Sequence, residues 1–321
     1  MDIGLMVEGQ DGLTWDRWRH ILALAERLNF PSLFRSDHYF IGTHQQSLEA
    51  YLSFVLAATE TSRIRFGPLV SPITFRRPVN VARMAAQLDE LSDGRFVLGL
   101  GGGWNEDEHR AYGVRFPPLK ERFDRLEEAL QLTKSLWNDN PASYDGRYYQ
   151  LDGVDCQPRP PAGRPPILIG GAGEKRTLRI AAQYAGEWNC LMRSPDDYAH
   201  KVEVFERHCE AVGRDPSTVR RSMMVFGLIG PTQAHIDGVT DIAMPRFLPR
   251  VAPGETISRE EFHKRFRAMG SIVGGTDELL DTLGRLAEHG LDEVQFQHLN
   301  FDNDDIPEYL AADIAPQVNA L

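Results

Sequence analysis

Cysteine is scarce in this sequence of 321 residues, and its few positions follow none of the spacings that disulfide frameworks or metal sites require. The cysteines are Cys156, Cys190 and Cys209, an odd and widely spaced set with no Cys-x-x-Cys or Cys/His pattern. This set argues against a disulfide-stabilised scaffold and predicts free thiols in a reducing compartment. No metal site is predicted.

Positive charge is also in short supply. Lysine and arginine number 35 against 46 aspartates and glutamates, which gives a formal net charge of −11. Binding to nucleic acid needs a basic face, so the composition argues against a nucleic-acid partner. No apolar run reaches the ~18 residues of a membrane span, and the N-terminus MDIGLMVEGQ has acids where a signal peptide has basic residues. We therefore predict a cytoplasmic protein without a membrane partner.

Short apolar runs and amphipathic helical patterns alternate through most of the chain. Helices are predicted at residues 14–28, 48–59, 78–91, 120–137, 174–184, 195–212 and 276–289. Strands are predicted at residues 3–7, 32–35, 64–70, 96–100, 167–169, 187–192, 222–229 and 293–299. The near-continuous apolar character of these strands is typical of parallel sheets that are covered on both faces.

Eight strand–helix units favour a closed α/β barrel over a doubly wound open sheet, which usually has fewer strands and a switch point. We predict a single (β/α)8 TIM-barrel domain over residues 1–321. Two insertions interrupt it, at about residues 140–165 after helix four and 231–272 after strand seven. The first contains a hairpin around Asp145-Gly146, and the second, rich in proline and polar residues, contains one helix near residues 258–268.

The active sites of such barrels lie at the C-terminal ends of the strands. The second predicted strand ends in Ser36, Asp37 and His38. An aspartate beside an imidazole can orient the ring and set its protonation, which makes this pair a candidate for proton transfer near neutral pH. The alternative is a helix-capping aspartate beside a surface histidine.

Two glycine-rich turns follow other strands. In GGAGEK, residues 170–175, free backbone N–H groups and a helix N-terminus predict an anion site, to which Lys175 or Arg176 adds charge. The alternative is a tight turn without a ligand. In GLGGGW, residues 99–104, the glycines let a flat ring approach the backbone and Trp104 can stack on it. Alternatively, Trp104 covers the barrel rim.

Six stretches occur together in one order: IGLMVEGQDGLTW, SLFRSDH, TSRIRFGPLVSPITFRRP, LDELSDGRFVLGLGGGWNEDEHRAYG, ERFDRLEEAL and PPILIGGAGEKRTLRIAAQYAGEWN. By these motifs the chain resembles the luciferase-like monooxygenase superfamily, and within it the branch of deazaflavin (coenzyme F420)-dependent oxidoreductases. The resemblance covers nearly the whole chain and is weakest over residues 231–272.

The resemblance implies a flavin-like ring across the barrel mouth, with Asp37 and His38 at its polar edge. It implies a non-prolyl cis peptide near Leu69, in a bulge that backs the ring, and a homodimer packed through the helices after the early strands. The cofactor phosphate would lie at the glycine turn after strand five. Besides the catalytic candidates Asp37 and His38, which would also contact the cofactor, the candidate cofactor-binding residues are Leu69, Val70, Ser71, Gly101, Gly102, Trp104, Asn105, Gly170, Gly171, Gly173 and Lys175.

One position departs from the family pattern. Sugar-phosphate dehydrogenases of the superfamily carry a catalytic glutamate after the strand-four glycines, whereas this sequence has Trp104 there, with Glu106 and Glu108 further on. The departure predicts a more apolar substrate pocket, roofed by Trp104 and residues 231–272.

The resemblance therefore predicts an oxidoreductase that moves a hydride between F420 and an unidentified small organic substrate, while His38 gives or takes the proton. One alternative is a monooxygenase that uses reduced FMN and O₂. Another, of a different class, is a flavin- or deazaflavin-binding protein without catalysis. A hydrolase has little support, because the sequence contains no nucleophile elbow and no Ser/His/Asp constellation.

Overall fold

Short parallel strands form a closed ring surrounded by helices. The structure, a computed structural model, describes residues 1–319. The strands are β1 (Asp2–Val7), β2 (Ser32–Arg35), β3 (Arg65–Pro68), β4 (Ser71–Pro72), β5 (Leu98–Gly101), β6 (Ala142–Asp145), β7 (Gln150–Val154), β8 (Ile167–Gly170), β9 (Glu187–Leu191), β10 (Arg220–Val225), β11 (Gly227–Ile229), β12 (Ile272–Gly274) and β13 (Glu293–Gln297).

The helices follow the strands along the chain. They are α1 (Trp15–Arg27), α2 (Ala50–Glu60), α3 (Pro78–Leu91), α4 (Glu106–Ala111), α5 (Leu119–Asn138), α6 (Thr177–Tyr184), α7 (Pro195–Ala211), α8 (Gln233–Val251), α9 (Arg259–Ala268), α10 (Thr276–Glu288), α11 (Asp305–Tyr309) and α12 (Ala315–Val318). A 3₁₀ turn spans Pro216–Thr218 and a π-helical turn spans Leu310–Ile314. Within residues 1–319, no helix is long and apolar enough to cross a membrane.

The ring closes because one barrel strand is broken in two. The strand order is β3-β2-β1-β13-β10-β9-β8-β5-β4, and β3 and β4 are consecutive pieces of the third barrel strand. A parallel bridge between Phe66 and Phe96 joins the two ends, and the N–H of Val97 donates to the Phe66 carbonyl at 2.8 Å. The predicted eight-stranded barrel is therefore confirmed, while its delimitation as one domain over residues 1–321 stays a prediction.

Two glycines, which have no side chain, let the closing strands β3 and β5 approach each other. A Cβ atom on Gly99 would lie 1.9 Å from the carbonyl oxygen of Pro68, and one on Gly67 would lie 2.0 Å from that of Val97. Neither distance is possible for a real side chain. The ring therefore closes at this seam only with glycine at both positions.

The inside of the ring is filled in layers. Near the N-terminal ends of the strands, the buried carboxylates of Glu187 and Glu293 form ion pairs with Arg65, and Glu293 also pairs with Arg220. Above them lies an apolar layer made by Met6, Phe34, Val97 and Leu168, with Leu69, Val70 and Met224 packed against it. The two layers occupy the lower part of the barrel, so open space remains towards the C-terminal ends of the strands.

The insertion at residues 231–272 differs from its prediction. Its predicted helix is α9, but a second and longer helix, α8, precedes it and contains Pro245 and Pro249. Proline inside a helix removes a hydrogen bond and crowds the preceding turn, which is why no helix was predicted over these residues. Aromatic packing stabilises α8 despite the prolines: the Phe247 ring lies 4.6 Å from Phe226 and 5.4 Å from Phe266.

Two further predictions need correction in detail. The predicted seventh strand, residues 222–229, is divided into β10 in the barrel and β11, which pairs with β12 in a separate two-stranded sheet. The predicted hairpin is present as β6 and β7, but its turn is longer than Asp145-Gly146. The N–H of Gly146 donates to the carbonyl of Tyr149 at 2.9 Å, so four residues connect the strands.

Candidate active site

A cavity of about 620 Å³ opens at the C-terminal ends of the barrel strands. Its floor includes Leu69, Val70 and Met224, which belong to the apolar layer inside the ring. Of the candidate residues, the cavity is lined by His38, Leu69, Val70, Gly101, Gly102, Trp104, Asn105, Gly170 and Gly171. The histidine after β2 and the glycine turn after β8 therefore face the same space.

Four candidate residues lie outside this lining. Asp37 and Ser71 are buried, with exposures of 2% and 1%, whereas Gly173 and Lys175 are exposed in the turn before α6. Most of the candidate residues, from four strand ends, thus line one cavity. Asp37, the predicted carboxylate partner of His38, is buried and does not line it.

The carboxylate that contacts His38 is Glu108, not Asp37. Its Oε2 lies 2.9 Å from His38 Nδ1, and its side chain is completely buried. Glu108 also accepts hydrogen bonds from the backbone N–H groups of Tyr39 and Phe40 and from the Asn105 amide nitrogen. Because every other partner is a donor, Nδ1 of His38 carries a proton that it donates to the carboxylate. Nε2 of His38 has no hydrogen-bond partner in residues 1–319 and is free to exchange a proton.

Helix α4 brings Glu108 to this position. Asn105 caps the helix, its side-chain oxygen accepting from the Glu108 N–H at 3.3 Å. Glu108 therefore lies in the first turn, where the helix dipole favours a carboxylate. Glu108 was not among the predicted site residues and stood out in the sequence only as an acid beyond Trp104. The available signal was the Asn-Glu-Asp-Glu pattern, which is typical of a capped helix N-terminus.

The surroundings of His38 raise its pKa above the usual 6.5. Burial alone lowers the pKa, but the hydrogen bond to Glu108 and the negative charges of Glu8, Glu108 and Asp37 together outweigh that effect. The imidazole therefore keeps its proton to higher pH than a free imidazole does, and it can act as a proton donor or acceptor.

Asp37 takes part in a different set of contacts. Its carboxylate accepts hydrogen bonds from Ser71 Oγ at 2.7 Å and from Arg76 Nη2 at 2.8 Å. Ser71 follows Val70 directly, and its hydroxyl also lies 3.1 Å from the Tyr51 hydroxyl. Asp37 thus connects the end of β2 to the strand segment that forms the cavity floor, and it adds negative charge near His38.

A second histidine in the cavity wall is fully engaged. His109 Nδ1 lies 2.6 Å from the carbonyl oxygen of Asn105, and Nε2 lies 2.6 Å from the hydroxyl of Thr74. Burial lowers the pKa of His109. Since both ring nitrogens have partners, His38 is the lining histidine with a free nitrogen.

The floor of the cavity is formed where the third barrel strand is interrupted. The peptide bond between Leu69 and Val70 is cis, at the position that the resemblance implied. The Val70 side chain packs against glycines from two other strands. A Cβ on Gly101 would lie 2.7 Å from Val70 Cγ2, and one on Gly170 would lie 2.8 Å from Cγ1. The floor is therefore apolar and closely packed.

The turn after β8 presents unbonded backbone donors. Gly171, with φ at +120°, turns the chain, and its own N–H donates to the Asn189 carbonyl. The N–H groups of residues 172–177 donate to no acceptor in residues 1–319. They precede and begin α6, whose dipole adds partial positive charge. Free N–H donors at a helix N-terminus are suited to holding an anion.

The charged side chains of this turn do not add positive charge to the anion site. The Arg176 guanidinium is held by Asp124 at 2.7 Å and Glu127 at 2.5 Å, both on α5. Lys175 is exposed and does not line the cavity. The positive character of the turn thus comes from its backbone. The ion pairs of Arg176 could not be predicted from the sequence, because their acidic partners lie on α5, about 50 residues away.

Trp104 covers part of the opening. Its ring centroid lies 5.2 Å from that of His38 in an edge-on arrangement, and its side chain remains 55% exposed. Arg250, from α8, places its guanidinium carbon 5.1 Å from the Trp104 ring. The predicted roof of Trp104 and the 231–272 insertion is thus present, and it includes Arg250, which was not among the predicted site residues.

Comparison with known proteins places these features in a family. The family model described as luciferase-like monooxygenase matches residues 3–293. An F420-dependent glucose-6-phosphate dehydrogenase of Intrasporangium calvum is 36% identical over 329 residues, which cover 92% of this chain and 93% of that protein. An F420-dependent hydroxymycolic acid dehydrogenase of Mycobacterium tuberculosis is 32% identical over 213 residues, or 65% of this chain and 58% of that protein. The chain spans about three fifths of the mycobacterial relatives that it matches.

A solved structure shares the fold over its full length. An F420-dependent secondary alcohol dehydrogenase, in complex with an F420–acetone adduct, superposes with a TM-score of 0.84 at 19% identity. The match covers 99% of this chain and 98% of the other. At this level of identity the likeness establishes the shared barrel.

Proposed function

Because the chain belongs to the luciferase-like monooxygenase family of oxidoreductases, we propose that it transfers a hydride between coenzyme F420 and a small organic substrate. The observation that carries this proposal is the shared cavity, in which His38 and the glycine turn after β8 face one space of about 620 Å³. The names of two relatives specify F420. They also specify unlike substrates, so they support the cofactor and leave the substrate open.

The residues present fit a deazaflavin. Val70, Gly101 and Gly170 form an apolar floor for a ring, and the unbonded N–H groups of residues 172–177 suit a phosphate. Asn189, whose side chain donates to Ser222 and Gln295, fixes the far wall of the cavity. A ring on the floor would have its open face towards His38 and Trp104, where the substrate would bind.

The proposed cofactor supplies a carbon that can accept or donate a hydride. The protein orients the substrate and handles the proton. In the oxidation of an alcohol, the bound cofactor would supply the hydride acceptor, and Nε2 of His38 would take the hydroxyl proton. Glu108 holds the ring through Nδ1 and stabilises the imidazolium that forms. In the reverse direction, Nε2 returns the proton to the carbonyl oxygen.

The raised pKa of His38 predicts opposite pH profiles for the two directions. Oxidation needs a neutral imidazole, so its kcat/KM should rise as pH increases through the His38 pKa, above 6.5. Reduction needs the imidazolium, so its kcat/KM should fall over the same interval. Steady-state rates between pH 5 and about 10 measure both. Two profiles with the same slope would contradict proton transfer by His38.

A cofactor titration tests the proposal. Purified protein is titrated with F420 and separately with FMN, and binding is followed by quenching of cofactor fluorescence. We expect saturable binding of F420 and at least ~10-fold weaker binding of FMN. Tighter binding of FMN, together with O₂ consumption in the presence of its reduced form, would instead establish the flavin monooxygenase alternative. Binding of F420 without turnover of any alcohol or carbonyl would favour the non-catalytic alternative.

We further propose that the protein is a homodimer. On α2, Leu52 and Val55 are 59% and 41% exposed, and Leu91 at the end of α3 is 50% exposed. An apolar surface on these two helices matches the interface that the resemblance implied. Sedimentation equilibrium should give twice the chain mass of 36.2 kDa, and a monomer at micromolar concentration would contradict this assignment.

A further inference from the structure

An arginine from the 231–272 insertion reaches the cavity without an acidic partner. Arg250 is the one lysine or arginine among the residues that line the cavity, and it forms no ion pair with any of residues 1–319. Another arginine of the same helix behaves differently. Arg246 is mostly buried and is paired with Asp11. Helix α8 therefore holds one arginine in a structural ion pair and presents the other, one helical turn later, to the cavity.

Trp104 keeps the Arg250 guanidinium near the reacting end of the cavity. The guanidinium carbon lies 5.1 Å from the indole centroid, within the range of a cation–π contact. The same indole contacts the His38 ring at 5.2 Å. Both the proton-transfer residue and the unpaired cation are thus in contact with one side chain, so a small molecule can reach both.

The rest of the substrate side is apolar. Lining side chains at this end are Ile41, Leu191 and Phe226, together with Met224 in the floor. The remaining acid that faces the cavity, apart from Glu108, is Glu8, which is 9% exposed and accepts a hydrogen bond from Gln10. An anionic group on the substrate therefore meets Arg250 as its accessible partner of opposite charge.

We propose that Arg250 binds a carboxylate on the substrate, so that the enzyme acts on a small organic acid with an apolar carbon skeleton. The oxidised or reduced carbon would lie a few bonds away, at Nε2 of His38. A guanidinium can hold a carboxylate through two parallel hydrogen bonds, which fixes the orientation of the substrate as well as adding affinity. This inference rests on the proposed function for the position of the reacting carbon, but not for the binding of the anion.

The test uses hexanoate and 1-hexanol, which share a chain and differ in charge. Binding of each to the protein is measured by calorimetry, with and without F420, for wild type, Arg250→Met, Arg250→Lys and Arg207→Met. Arg207 is an exposed arginine of α7 without an ion pair in residues 1–319, and it serves as the matched control. We expect wild type and Arg207→Met to bind hexanoate at least ~10-fold more tightly than hexanol. Arg250→Met should abolish this preference, and Arg250→Lys should keep part of it.

Several outcomes would overturn the proposal. One is equal binding of hexanoate and hexanol to wild type, and another is an unchanged preference in Arg250→Met. A third is loss of F420 affinity in Arg250→Met with hexanoate binding intact, which would assign the arginine to carboxylates of the cofactor tail. If F420 fails to bind while hexanoate binding depends on Arg250, the proposed cofactor is wrong and the anion site stands.

Discussion

Replacing Glu108 by glutamine should reduce kcat by about 100-fold, the effect expected when a positioned proton-transfer group loses its support. The amide keeps the shape of the carboxylate but removes the charge that favours the imidazolium of His38. The amide oxygen should stay with the N–H groups of Tyr39 and Phe40, so the amide NH2 group would face Nδ1 of His38 and could not accept its proton. The affinity for F420 should change by less than about 3-fold, because the Glu108 side chain is buried and is not part of the floor assigned to the ring.

Glu106 supplies the matched control for this change. It lies two residues earlier on the same short helix, is exposed, and makes no side-chain hydrogen bond in residues 1–319. Glu106→Gln should retain wild-type kcat. In Glu108→Gln, the midpoint of the pH profile for alcohol oxidation should also move to lower pH, because the pKa of His38 falls. Equal rates for the two variants would show that the buried carboxylate has no part in the reaction.

Substitution of Gly102 by valine should weaken F420 binding by at least about 100-fold. Gly102 lines the cavity, and a Cβ atom there meets only the Phe123 ring, at 3.8 Å, so the backbone accepts a side chain without strain. The added methyl groups would instead occupy the space that we assign to the cofactor ring. Fluorescence titration measures the loss, and circular dichroism checks that the barrel is intact.

Gly238 on α8 is the control glycine for this experiment. A Cβ at Gly238 meets no atom within 4 Å, and the residue does not line the 620 Å³ cavity. Gly238→Val should bind F420 like wild type. If Gly102→Val also keeps wild-type affinity while remaining folded, the ring does not lie against the β5 glycines.

The barrel was predictable because its strands carry a local signal. Runs such as residues 32–35 and 167–169 are apolar throughout, and parallel strands with helices on the outside require this. The helices were equally local in origin: Thr14 caps α1, as its spacing from the apolar face indicated. The broken third strand was not visible as a break, since the peptide geometry between Leu69 and Val70 came from family resemblance alone.

The partners of the site residues were not predictable in the same way. Asp37 and His38 are neighbours in sequence, but successive residues of an extended chain point to opposite sides. Asp37 accordingly contacts Arg76, whereas His38 contacts Glu108, 70 residues away. Arg250 was not predicted as a site residue, because the two prolines in α8 prevented the prediction of the helix that carries it to the cavity. The contacts of Asp37, His38 and Arg250 all join residues far apart in sequence. They depend on how the elements pack, and no local sequence pattern predicts them.

An NMR titration of ¹⁵N-labelled protein with F420 tests most directly whether one ligand spans the cavity. We expect the amide signals of residues 172–177 and the Nε2 signal of His38 to shift together, with the same dissociation constant. Amide exchange of residues 172–177 should slow at the same time, since these N–H groups gain an acceptor. A response of the turn without His38, or of His38 without the turn, would contradict a cofactor bound between them.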